Sequence, residues 1–318
     1  MDVLTTPQLP VADWLSIIER EYLAEFLPAG GGAVKFAILN DSAIGAVAES
    51  LADAGRRHAM LVVSVDAART RIHLMHELFF AITRALPWDN LVQRYLEGLF
   101  AAQGYSWPRP GEAMATADLA AAFGVAPTLL AHRVDQWLTA DLWEDRRLVQ
   151  DFRAALLSLC LARLERTDWN SAGPVAQWLC GEKVPTASLH SADISVRLSR
   201  TNARAMLASL CHFLRKANVA GLIVVLDARR LAGTTVLEGL LRYSPATVMD
   251  AYEVLRELID DAEHLPGLFV AVLADAALAT GDPRRALSQY AALQMRVWPD
   301  VRPGDRQNPM APLVWLAA

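Results

Sequence analysis

Cysteine is scarce in this chain: Cys160, Cys180 and Cys211 are the only three among 318 residues, far apart and without metal-ligand spacing. That excludes a disulfide framework and a structural zinc site, and the thiols read as reduced, buried groups of a cytoplasmic protein. Long apolar runs are also missing. No stretch approaches the roughly 18 uninterrupted apolar residues that a bilayer span needs. The N-terminus has neither the basic start nor the apolar run of a secretory leader. Positive charge is in deficit: 30 Lys and Arg against 35 Asp and Glu leave a net charge of −5, with no global pull toward nucleic acid or anionic lipid. No Gly-x-Ser-x-Gly elbow proposes a nucleophile. The seven histidines do not cluster. His73 and His76, with Glu77 beside them, read as a polar helix face one turn long, and no metal site is assigned. There is no internal repeat and no low-complexity tract.

What is present is a core. Hydrophobic residues make up 53 % of the chain, which argues against disorder, and the length suits one large α/β domain or two small ones. Trp14, Ile17, Ile18, Tyr22 and Phe26 recur at helical spacing and predict a helix over 12–27, broken by Pro28-Ala29-Gly30-Gly31-Gly32. Residues 34–39 predict a strand, and 43–54 a helix ended by Gly55. Residues 58–65 predict a second strand with Met60 to Val63 continuously apolar, as in a parallel sheet covered on both faces. A helix over 73–86 stops at Pro87. This alternation is the βαβ rhythm of an α/β fold. From about 90 to 168 the pattern is helical throughout, too long for an ordinary crossover, and 169–197 is richer in turn formers. An amphipathic helix over 201–217 follows, then the clearest strand, 222–227. Ser244-Pro245 opens a helix running to 263, with serine as its cap. A strand over 268–273, a helix over 283–297 and a last strand over 311–316 complete the reading. The expected organisation is an N-terminal helix and half an α/β core over 1–89, a helical insertion and connector over 90–197, and the second half of the core over 198–318.

In that order of elements, the segment from Ala33 to Ala46 stands where a phosphate-binding loop belongs, with strand, turn and Ala-rich helix in sequence. The loop's chemistry is missing. A working loop reads Gly-x-x-x-x-Gly-Lys-Ser/Thr: backbone amides cradle the phosphates, the lysine neutralises them, and the hydroxyl holds magnesium. Here Asn40, Asp41, Ser42 and Gly45 form the turn. With Asp227, which ends the apolar run 222–226 like a magnesium-organising acid, they are the candidate remnants of a nucleotide site. A water-polarising glutamate would follow that acid, and Ala228 does instead. Asp227 equally suits a turn cap or an ion pair with Arg229 or Arg230. Arg242, just before Ser244-Pro245, and Arg284 and Arg285, just after Asp282-Pro283, have the placement of arginines that act on a neighbouring subunit's site. Solvated or salt-bridged surface arginines are the plain alternative. Residues 115–138 have the outline of a helix-turn-helix with glycine in its turn. The second helix offers only His132 and Arg133 to DNA, and a packing role fits that charge better.

Together these residues resemble the ATP-binding proteins of BREX-type phage-defence systems, P-loop ATPases with an AAA-like architecture. The resemblance runs over nearly the whole chain. Gly31-Gly32-Ala33-Val34-Lys35-Phe36 is similar to that family's lead-in to the first strand, and Gln177-Trp178-Leu179-Cys180-Gly181-Glu182 to its Trp-Leu-x-Gly-Glu element. Residues 221–227 resemble its Walker B strand, and 250–260 the helix after it. Arg284, Tyr290, Ala292-Leu293 and Arg296 match a later helix, and Ala311-Pro312-Leu313-Val314 its end. Carried across without gaps, the two phosphate-loop glycines of the family fall on Leu39 and Ile44, its lysine on Gly45, its Ser/Thr on Ala46 and its Walker B glutamate on Ala228. Asp227 alone is retained. Lys35 lies upstream, inside the strand, and does not replace the missing lysine.

The resemblance therefore implies a P-loop NTPase-like parallel sheet flanked by helices, with a large helical insertion. It implies a catalytically silent subunit with a structural or regulatory role in a cytoplasmic anti-phage complex. No cofactor and no catalytic residue are assigned. Expected partners are an active ATPase paralogue, a helicase or nuclease, or another copy of the chain, with no membrane. Two alternatives stay open. One is a sensor that binds ATP weakly without turnover, through the amides of residues 30–32 and the start of the next helix. The other is a DNA-binding adaptor using residues 115–138.

Overall fold

A computed structural model describes residues 7–165, 169–234, 238–298 and 307–317. Among these residues, six strands form a single parallel sheet: β1 (Leu9–Pro10), β2 (Ala33–Ile38), β3 (Leu61–Asp66), β4 (Leu222–Asp227), β5 (Leu268–Ala274) and β6 (Leu313–Ala317), in the spatial order β1-β6-β2-β5-β4-β3. The helices in chain order are α1 (Val11–Ile17), α2 (Ile44–Arg57), α3 (Met75–Arg84), α4 (Trp88–Ala102), α5 (Thr116–Phe123), α6 (Pro127–Leu138), α7 (Gln150–Glu165), α8 (Trp169–Leu179), α9 (Thr186–His190), α10 (Ala203–Lys216), α11 (Arg229–Ala232), α12 (Pro245–Asp260), α13 (Ala276–Thr280) and α14 (Ala291–Val297). Among the described residues, no helix is long and apolar enough to cross a membrane.

The chain divides into two compact units. The first, residues 1–82 and 220–318, holds the whole sheet. The second, residues 83–219, is helical and includes α10, so it is wider at both ends than the 90–197 segment read from the sequence.

In the sheet unit the inner strands β2, β4 and β5 are buried on both faces, which is why their sequences are almost continuously apolar rather than alternating. One face carries Ala37, Leu39, Ile223, Val225, Phe269, Ala271, Leu273 and Val314. Against it pack α2, through Ile44, Val47 and Leu51, and the N-terminal helix, through Trp14, Ile18, Tyr22 and Leu23. That N-terminal helix starts as α1 and widens into π-helical turns over Ile18–Phe26, where Leu27 N–H bonds to Tyr22 C=O at 2.9 Å.

Several expectations need correction. Gly55 does not end a helix: α2 runs on to Arg57. A Cβ at Gly55 would lie 2.7 Å from side-chain methyls of Ile223 and Val62, so the glycine lets α2 approach the sheet. Helix α3 begins at Met75, which puts His73 before the helix rather than one turn from His76 on its face. The turn-rich reading of 169–197 misses α8, and 283–290 is turn and 3₁₀ structure before α14. The two-residue β1 carries too short a signal to be seen in the sequence. Ser244 does cap α12, its Oγ accepting from Thr247 N–H at 3.2 Å with Pro245 in the first turn.

In the helical unit, Phe213 of α10 is a hub for Trp88 and Tyr95 of α4 and Phe152 of α7. Beside them Tyr95 Oη–H donates to Asp141 at 2.8 Å, and Lys216 Nζ lies 2.9 Å from Asp141 and 3.2 Å from Asp145. The Arg147 guanidinium, which bonds Asp145, holds that carboxyl well below its usual pKa.

Two glycines should respond very differently to alanine. At Gly32 a Cβ would sit 2.2 Å from the Ala262 carbonyl oxygen and 2.7 Å from that of Leu265, and backbone cannot step aside. At Gly55 the clash is with methyls that can rotate, and alanine adds helix propensity. Gly32→Ala is expected to cost more than about 3 kcal/mol and Gly55→Ala about 1–2 kcal/mol, read from urea midpoints.

Candidate functional site

The sheet order fixes where a ligand site can form. From β2 the chain moves to the β3 edge, whereas from β5 it crosses to β6 on the other side of β2. The adjacent carboxyl ends of β2 and β5 are therefore a topological switch point, the place where open α/β sheets bind ligands. Leu39 N–H bonds to Ala274 C=O at 3.0 Å and closes the ladder there. A cavity of about 290 Å³ opens at this point, lined by Gln8, Asn40, Asp41, Asp275 and Trp315 among others.

The chain turns sharply out of β2. Asn40 C=O accepts from Ala43 N–H at 2.9 Å, closing a 3₁₀ turn over Asp41–Ala43 that runs directly into α2. This collapsed turn has no span of loop to wrap a phosphate. Asn40, Asp41, Ser42 and Gly45 are all exposed on it, Gly45 in the first turn of α2. The structure brings these residues to the same end of the sheet as Asp227, the last residue of β4.

Between them lies Arg229. Asp227 first caps its own turn, Oδ1 accepting from Arg229 N–H at 3.2 Å. The Arg229 side chain then folds back: Nε lies 2.9 and 3.1 Å from the two Asp227 oxygens, and one terminal nitrogen also bonds Oδ2. The other terminal nitrogen donates to Asp41 Oδ1 at 2.5 Å. Because β5 separates β2 from β4, the guanidinium spans the tip of β5, roughly 10 Å between flanking strands. Its pKa is raised, first by the hydrogen bonds to Asp227 and then by those to Asp41.

Sequence reasoning missed Asp66 and Asp275. Asp66 ends β3 in register with Asp227 and accepts from Ala68 N–H at 2.7 Å. Asp275 follows β5 and caps the short α13, accepting from Ala277 N–H at 3.0 Å. The signal was present: three apolar runs each end in aspartate, at Val65-Asp66, Leu226-Asp227 and Ala274-Asp275.

These residues do not fit a magnesium triphosphate. Asp275 puts negative charge at the crevice, and Asp227 and Asp41 already share one cation between them. The sole lysine of this unit's sequence, Lys35, is elsewhere. It sits near the start of β2, about five residues or roughly 16 Å back from Asn40. Its Nζ is 3.3 Å from the Ala311 carbonyl oxygen, bonds that of Met310, and lies 5.0 Å from the centre of the Tyr22 ring. Burial lowers its pKa to about 8. Residues 30–32 also lie before β2, at the opposite end of the sheet from the crevice, and the Gly30 and Gly31 amides already bond Leu27 and Phe26 carbonyls at 2.9 Å. They offer the crevice no anion cradle.

The arginines separate. Arg242 is exposed. Arg284 is 78 % exposed and leans on Asp282 at 3.4 Å. Arg285 is buried, its guanidinium 3.5 Å from the Leu231 carbonyl and 3.6 Å from Asp282, and it does not present to a neighbour. Helices α5 and α6 do pack as a pair about Gly124, in the left-handed region at φ 67°. Arg133 is taken up by Tyr105 Oη at 2.7 Å, and His132 pairs with Gln136. His73 and His76 pack edge-on against Tyr243 and Phe80. Among the described residues, no group of three or more His, Cys, Asp or Glu is placed to hold a metal.

A single parallel sheet flanked by helices, with acids gathered at its switch point, is a P-loop NTPase-like fold. Residues 125–318, well over half of the chain, match the model of the BREX system ATP-binding protein BrxC/D family, and the chain belongs to that family. Membership points to a role in a multi-protein phage-defence system. The matched stretch includes Asp227 and Arg229 and begins after the turn at 40–45. No curated protein and no solved structure matches the chain.

Lys35 gives a pH test. Its folded pKa of about 8 lies below its ordinary 10.5, so the buried charge weakens the fold below pH 8 and the penalty is relieved as pH rises from 8 to 10.5. Lys35→Met is expected to stabilise the chain by about 1–2 kcal/mol at pH 7, less than the full shift because two carbonyls lose a donor. The gain over the parent should shrink between pH 8 and 10. Paired urea titrations at pH 7, 8.5 and 10 measure this.

Proposed function

We propose that this chain is a non-hydrolysing, ATPase-like subunit that serves a BREX assembly through protein contacts. One observation carries the reading: the Arg229 guanidinium lies on Asp227 and Asp41, between the acid that would organise magnesium and the turn that would cradle phosphate. A metal ion would have to displace a bidentate, charge-assisted pair, and a triphosphate would have to approach two carboxylates without a lysine. Loss of the phosphate lysine, the magnesium hydroxyl and the water-polarising glutamate each removes several kcal/mol of stabilisation.

The fold that remains suits a scaffold. Its partners on this reading are an active ATPase paralogue, a helicase or nuclease of the same system, or a second copy. Arg242 and Arg284, both exposed, are the residues offered for acting on a neighbour's nucleotide site. The charge on α5 and α6 gives little support to a DNA adaptor.

The purified chain is expected to show no ATP turnover above background with magnesium present, and no rise in Tm with millimolar ATP or ADP. Turnover at ordinary rates that disappears in Asp227→Ala would overturn the reading. Arg229→Ala is expected to lower stability by about 1 kcal/mol, a modest loss because Arg229, Asp41 and Asp227 are all partly exposed. It should not restore hydrolysis, because no lysine or glutamate takes the vacant roles.

A further inference from the structure

The helical unit holds a pocket of about 380 Å³ that the ATPase-like reading leaves without a role. It is built by the end of α8, the chain that follows it, α9 and the segment after α9. Local sequence explains its shape. Gly181, at φ 77°, takes the left-handed conformation that ends α8, with Gly181 N–H bonded to Trp178 C=O at 3.0 Å and Glu182 N–H to Gln177 C=O at 2.9 Å. That turn lies between Trp178 and Lys183, both of which line the pocket, in and just after the stretch that resembles the family's Trp-Leu-x-Gly-Glu element. Ile194, Val196 and Arg197, from the segment after α9, complete the lining.

The chemistry of the lining is of two kinds. Val184, Leu189, Ile194 and Val196 make it apolar, and Val196 is 46 % exposed. Lys183 and Arg197 make it cationic: both are exposed, and neither forms an ion pair among the described residues. Glu182 is the one acid on the wall, so the cations outnumber it. Trp178 is 96 % buried by its 4 % exposure, yet its Nε1–H has no acceptor among the described residues.

We propose that this pocket binds the free C-terminus of a polypeptide whose last residue is apolar. The terminal carboxylate meets Lys183 and Arg197. The last side chain lies among Val184, Leu189 and Ile194. The volume is at the small end for ligand sites, enough for one or two residues and too little for a large cofactor. Charge complementarity with Lys183 and Arg197 favours a carboxylate, and the exposed Val196 leaves apolar surface for the rest of a chain end, in the manner of other carboxylate-capturing sites. The proposal does not rest on the state of the strand-end crevice.

Calorimetry on the full chain with the peptide acetyl-Ala-Ala-Leu, as free acid and as C-terminal amide, tests it. The free acid is expected to bind with a sub-millimolar Kd, and the amide at least about tenfold more weakly. The surface double variant Lys183→Gln/Arg197→Gln should lose about tenfold for the acid and nothing for the amide. Equal binding of acid and amide, no binding of either at millimolar concentration, or an unaffected double variant would each overturn the proposal. Isocaproate binding as tightly as the peptide would assign the pocket to a small-molecule acid instead and overturn it as a chain-end site.

Discussion

A parallel sheet gathers the carboxyl ends of all its strands along one edge, and that constraint organises this molecule. Asp66, Asp227 and Asp275 end or follow three successive neighbours in the sheet, and Asp41 follows the next. Four acids are thus assembled at one edge by topology alone. Such a concentration of charge needs either cations or hydrogen-bond donors. Backbone amides serve Asp66 and Asp275, through the turn after β3 and the start of α13. Asp227 and Asp41 share Arg229. The ion pair links the turn after β2 to the tip of β4, and it crosses the switch point where a nucleotide would otherwise lie.

How much of this the sequence discloses depends on the kind of signal. The strands were legible because burial on both faces makes continuous apolar runs, and 34–39, 222–227 and 268–273 fall within a residue of β2, β4 and β5. The Ser244-Pro245 cap was legible because its chemistry is local. Glycine misled at residue 55, since a glycine required for helix–sheet packing and one that terminates a helix look alike until the neighbour is known. Asp282-Pro283 suggested a helix start, but Asp282 uses its carboxylate on Arg284 N–H at 3.0 Å to hold a turn instead. In the candidate site, Asp227 and the turn at 40–45 were visible, and Arg229 was named only as one possible partner. Its second bond, to a residue 188 positions away, could not be read from spacing. The same holds for Arg285, whose burial under Leu231 is a tertiary fact.

On the proposed reading, the difference between Mg²⁺ and a guanidinium has a functional consequence. A magnesium ion arrives with its nucleotide and leaves with the products, so the charge at the switch point changes through a cycle. A tethered arginine brings one charge, holds both Asp227 oxygens in a fixed fork, and stays. The side chain is also part of the turn that Asp227 caps, so its position is set by the same residue it neutralises. A strand-end crevice bridged in this way has no pair of states for a nucleotide to bias, and a ligand shifts a conformation only through differential affinity. What such a subunit contributes to an assembly is then a constant surface, and any change in the complex has to originate in its partners.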